Sequence, residues 1–170
     1  MKLTSFAYTA AIGVLVAMPA LAQPFESKGV VGDWGVFFNA ATGGCFVERQ
    51  TEDGVVMQMG TQADMLGVEE QNYGFLAVYV PIPTDIQPDE KRHVQFQLGE
   101  TVYGGDAVGA ERDGYFGGYA VANRAKFIDD IANLQTMTVN PETDRAYDID
   151  LTAPQPALEA LRALQPAMST

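Results

Sequence analysis

Few side chains here could do chemistry. The chain has one cysteine and one histidine, Cys45 and His93. Cys45 shares alternating parity with Val47, an apolar face, whereas His93 alternates with Gln95 and Gln97. Nucleophilic attack needs a thiolate, and apolar surroundings raise a thiol's pKa. Cys45 therefore reads as a small core residue behind Trp34, with a redox or intermolecular thiol as the alternative. Past residue 22 the only serines are Ser27 and Ser169. Both lie near a chain end and are expected to be mobile, whereas a Ser–His–Asp site needs a fixed serine. Zinc sites use three or four Cys, His or carboxylate ligands, and the Cys and His supply is one each. Asp106, Glu111 and Asp113 flank glycine turns, and Asp144, Asp148 and Asp150 cluster later, but neither group has the spacing of a calcium loop. A carboxylate pair could hydrolyse a glycoside; with 22 Asp and Glu residues some pair always arises by chance. No catalytic, cofactor-binding or metal residue is assigned, and no cofactor is expected.

The one stretch that suggests a surface is "ERDGYFGGY". It sets Tyr115, Phe116 and Tyr119 among glycines and acids. Aromatics spaced by glycine can form a flat face for a ligand or a protein. The alternative is that Tyr115 and Tyr119 line the core on a glycine-bent strand.

The elements that hold these residues are mostly short strands. Trp34, Val36 and Phe38 alternate, "NAATGG" turns the chain, and Cys45 with Val47 opens the next strand. After "EDG", Val55, Met57 and Met59 share one face with Gln58 outward, completing a three-stranded meander. "YGFLAVYV" is apolar on both faces and fits a strand covered on both sides. The three prolines of "PIPTDIQPDEK" make a loop. Val94, Phe96 and Leu98 alternate next, and two glycine-rich strands follow. Then the period changes. Asn123 can cap a helix over Ala125–Leu134 that turns Phe127, Ile128 and Ile131 inward. "TMTV" is a short strand; Tyr147, Ile149 and Leu151 alternate on another; Pro156 starts a small helix that ends at Leu164, before Pro166. The expected fold is mainly β: an antiparallel β-sandwich or strongly curled sheet of eight to ten strands, with one amphipathic helix and a short C-terminal helix.

The N-terminus reads as a signal peptide over residues 1–22. Lys2 precedes an uncharged apolar stretch from Phe6 to Ala17, and Ala20-Leu21-Ala22 provides the small residues before cleavage after Ala22. That stretch is short of the ~20 residues that span a bilayer, so no integral membrane segment is expected once it is removed. Residues 23–165 form a single β-rich domain in this reading, with a disordered tail at 166–170. A net charge of −12 repels phosphate backbones, which argues against nucleic acid as a partner.

Several of these features, in order, resemble the invasion-associated locus B family of exported Gram-negative proteins. A signal peptide is followed by "GDWGV" on a first strand, with Cys45 soon after. "AKFIDDIANL" then leads into "TMTV", and "AYDIDLTAPQPALEALRAL" closes the chain. The resemblance implies a periplasmic or surface-associated, non-enzymatic β-sandwich whose partner is an envelope or host-surface protein. It carries no catalytic residues over. A small-ligand-binding protein using the Tyr115–Tyr119 face is the alternative.

Overall fold

The computed structural model describes residues 25–62, 74–122, 124 and 126–168. The expected signal peptide, the Asn123 cap and Ser169 lie outside them. Ten strands form one antiparallel sheet: β1 Phe25–Val31, β2 Trp34–Asn39, β3 Cys45–Gln50, β4 Val56–Gly60, β5 Phe75–Val80, β6 Lys91–Leu98, β7 Thr101–Arg112, β8 Tyr115–Val121, β9 Thr136–Val139 and β10 Tyr147–Asp150. Helix α1, Lys126–Ala132, joins β8 to β9, and α2, Gln155–Met168, closes the described chain.

The first five strands form a meander. The chain then crosses through residues 81–90 and lays β6, β7 and β8 back in reverse, so that β8 pairs with β5 and β9 adds beyond β6. Of the two forms the sequence allowed, the structure has the curled sheet, and its ends do not close on each other. The curl is visible in the core. Trp34 and Val36 of β2, Cys45 and Val47 of β3, and Met137 and Ile149 of β9 and β10 belong to one buried cluster, although they sit at opposite ends of the strand order. Arg49 of β3 reaches across this interior to the carbonyl of Asp150 at 2.7 Å.

Period-two alternation explains which residues face inward. Cys45 and Val47 face in, while Phe46 faces out and stacks on Phe37. A second, smaller cluster on the outer face holds Phe46, Phe75, Ala77 and Tyr79. Strand β5 is therefore covered on both sides, as its unbroken apolar run requires.

Four details differ from the sequence reading. Strand β1 extends the expected three-stranded meander at its start, and Ser27 is part of it, paired with Phe37. Its five central residues are exposed, so no hydrophobic alternation marked it. Gln58 does face away from Met57 and Met59, yet it is buried; its amide donates to the Glu48 carboxylate at 2.6 Å, which satisfies it there. Helix α1 ends at Ala132, two residues short of Leu134, because Asn133 and Leu134 turn tightly back to the carbonyls of Asp130 and Ile131. Helix α2 runs past Leu164 and through Pro166 to Met168. Pro166 lies in its last turn, where the missing N–H forfeits a single bond.

Candidate functional site

The inward face of the sheet has two unlike ends. At one end α1 and α2 cover it. Phe127 of α1 packs on Phe96 and Tyr103, with ring centroids 5.6 and 5.1 Å apart, and Leu158 and Leu161 of α2 are fully buried. Toward the other end, the same face of the same strands loses its cover. On β5, Leu76 is buried but Val78 and Val80 are half-buried; on β6, Leu98 and Phe96 are buried but Val94 is not. Ala120 gives way to Phe116 on β8, Met137 to Val139 on β9, and Ile149 to Tyr147 on β10. These half-covered apolar side chains wall a cavity of about 640 Å³. Such a volume lies within the range of small-molecule sites, roughly 300–1,000 Å³.

Glycine gives the cavity its floor. Gly109 and Gly118 face each other across β7 and β8. A Cβ on Gly109 would run into the Gln87 carbonyl and the Ile86 side chain. The proline-rich loop 81–90 thus lies directly on β7, fixed by Asp89 N–H to the Gly109 carbonyl at 2.9 Å and Gly109 N–H to the Glu90 carbonyl at 2.7 Å.

Charged groups collect at the mouth. Arg92 takes an inward position on β6, and its guanidinium is held on several sides. Nε donates to Glu90 at 2.7 Å, Nη1 to the Asp85 carboxylate at 3.1 Å and Nη2 to the Asp85 carbonyl at 2.8 Å. The bond from Arg92, followed by the Gln87 N–H, holds the Glu90 carboxyl below the usual carboxylate range. Asp85 also meets Arg145 of the β9–β10 loop at 3.6 Å. Loops 81–90 and 140–146 are thereby clasped across the opening.

The aromatic stretch does not form one surface. Tyr115 and Tyr119 turn to the outer face, packed against the Phe46–Phe75 cluster, whereas Phe116 turns inward to the cavity. Tyr115 accepts a hydrogen bond from the Gln50 amide at 2.9 Å. Beside it, Glu48, Gln58, Tyr79 and Arg112 edge a smaller outer hollow of about 250 Å³, and burial raises the Tyr79 hydroxyl's pKa. Cys45 is buried in the inner cluster and His93 lies exposed on the outer face beside Asp106, so the two do not meet. Asp148 accepts from Thr138, and Asp150 accepts from Thr152. Among the described residues no group of three His, Cys, Asp or Glu side chains is placed to hold a metal.

Sequence reasoning singled out Phe116 but missed Val78, Val80, Val94 and Tyr147 as cavity residues. Their apolar alternation is the same whether the face ends against a helix or against open space. The available signal was Arg92, a charge at an inward position in "KRHVQFQL".

No family model, curated protein or solved structure matches the chain.

Proposed function

We propose that this is a non-enzymatic, exported binding protein that holds a small apolar molecule at the uncovered end of its curled sheet. The observation that carries the reading is the loss of cover on five strands of the run from β5 to β10 in the sheet order, which leaves an apolar-walled cavity under two clasped loops. Export rests on the N-terminal sequence pattern and on the resemblance to the invasion-associated locus B family. The chemistry of the walls favours binding over catalysis, because their inward side chains are hydrocarbon apart from the Tyr147 phenol and the Arg92 guanidinium, which is already paired.

The test is a fluorescence titration with N-phenylnaphthylamine, an uncharged apolar dye. Wild type should give saturable enhancement. Ala107 lines the cavity on the inward face of β7, so Ala107→Trp should fill it and abolish binding while retaining the wild-type circular dichroism. Absence of saturable binding to wild type, or undiminished binding to a folded Ala107→Trp variant, would refute the reading.

Contact with an envelope or surface protein has an observation of its own. Strand β1 ends the strand order, so one of its edges has no ladder partner among the described residues, and its Val30 is 73% exposed. A stoichiometric protein co-purifying from periplasm or medium would support that role, and its loss in Val30→Asp would place it at this edge.

A further inference from the structure

We infer that the cavity selects an uncharged ligand, taken up between loops 81–90 and 140–146; this rests on the binding reading above. Size follows from volume. An apolar protein cavity of about 150 Å³ takes one benzene, or roughly 25 Å³ per non-hydrogen atom. The cavity of about 640 Å³ therefore accommodates up to about two dozen such atoms.

Charge selection follows from how the mouth is wired. An anionic ligand needs a cation with free donors. Arg92 spends Nε, Nη1 and Nη2 on Glu90 and Asp85. Arg145 lies 3.6 Å from Asp85, and its charge, like that of Asp144, is exposed in water rather than set against the apolar wall. A carboxylate entering here would meet Asp85, Glu90 and Asp144 around the same rim. A cationic ligand fares no better. Asp85 and Glu90 are committed to Arg92, and Asp144 stands exposed in water rather than against the apolar wall. Either charge would be drawn from water to a wall of Val78, Val80, Val94 and Phe116 without a partner, and an unpaired charge in such surroundings is strongly disfavoured. An uncharged ligand loses nothing of this kind. It gains from burial against hydrocarbon, and a single hydroxyl costs far less to bury than a charge.

Three ligands of equal tail length separate the possibilities: tetradecanol below its solubility limit, and tetradecanoate and tetradecylammonium below their micellar concentrations, each displacing N-phenylnaphthylamine from the full mature chain. Tetradecanol should compete at a concentration lower by about tenfold or more than either charged analogue. Equal or better competition by tetradecanoate or tetradecylammonium overturns the charge selection while leaving the binding reading intact. Failure of the dye itself to bind overturns both. Asp85→Ala, which frees Arg92 and Arg145 of a shared carboxylate, should narrow the gap between tetradecanol and tetradecanoate. An unchanged gap in that variant would show that the rim does not set the selection.

Discussion

The indole of Trp34 donates to the carbonyl of Thr152 at 3.1 Å, which ties β2 to the link between β10 and α2. Thr152 and Ala153 both hold left-handed backbone, with φ of 40° and 44°. Such a conformation persists in a non-glycine residue only where its surroundings fix it. Trp34→Ala should lower stability by about 3–5 kcal/mol in denaturant unfolding, because it removes a fully buried side chain. Trp34→Phe retains much of the burial but not the donor, and should lower it by about 1–2 kcal/mol. A Trp34→Ala variant as stable as wild type would show that this contact closes nothing.

Cys45 is buried at 1% exposure, opposite Phe38 and beside Val36 and Val47. Thiol reagents should label it slowly in the native protein and rapidly after unfolding, with no disulfide-linked dimer on non-reducing gels. Cys45→Ala should lower stability by about 1–2 kcal/mol. Cys45→Asp should unfold the protein, because its charge would lie in the core without a partner.

Acid should destabilise the fold through Asp130 and Asp150. Asp130 accepts from the Lys126 ammonium and then from the Tyr103 hydroxyl, and these bonds hold its carboxyl below the ordinary range. Asp150 is lowered too, first by the Thr152 hydroxyl. A folded pKa below the unfolded one gives stability that is fully present above the unfolded value and lost as pH falls through the folded value. Chemical unfolding followed from neutral pH downward should show a steeper acid loss for wild type than for the Asp130→Asn, Asp150→Asn double variant. Parallel curves would contradict this assignment.

Gly109 should tolerate no side chain. Gly109→Ala drives a Cβ into the Gln87 carbonyl, which belongs to backbone pinned on β7. The expected loss is about 1–3 kcal/mol, read as a fall in Tm together with weaker dye binding. Gly105→Ala, where a Cβ meets nothing within 4 Å, is the control and should change neither.

Asp85 ties loop 81–90 to β6 through Arg92 and to loop 140–146 through Arg145. Asp85→Ala should speed dye dissociation several-fold in stopped-flow measurements and leave Tm nearly unchanged, since exposed ion pairs add little stability. Unaltered dissociation would mean that the dye passes elsewhere.

The strand content was legible because alternation is a local signal. Val36, Val47, Met57 and Phe96 each announce their face by parity alone. Strand β1 was not legible, because an exposed edge strand has no apolar face to display. The choice between two packed sheets and one curled sheet depends on which strands pair. The reversal that sets β8 beside β5 is a non-local event that no window around either strand records. The cavity was hidden for a related reason. Val78 and Leu76 have the same sequence character, and only the distance of α1 and α2 from each makes one a wall and the other core.

Because the sheet never closes, no strand count or shear fixes the girth of its interior, as both would in a barrel. The gap between its margins is bridged by side chains, Trp34 to Thr152 and Arg49 to Asp150, rather than by a ladder. Dilation of the interior would leave the strand ladders whole, so what resists it is these two bonds and the packing of Trp34, Cys45 and Val47 against the same core as Met137 and Ile149. The interior is thus laced rather than woven, its bore set by side chains across the seam instead of by a closed ring of strands.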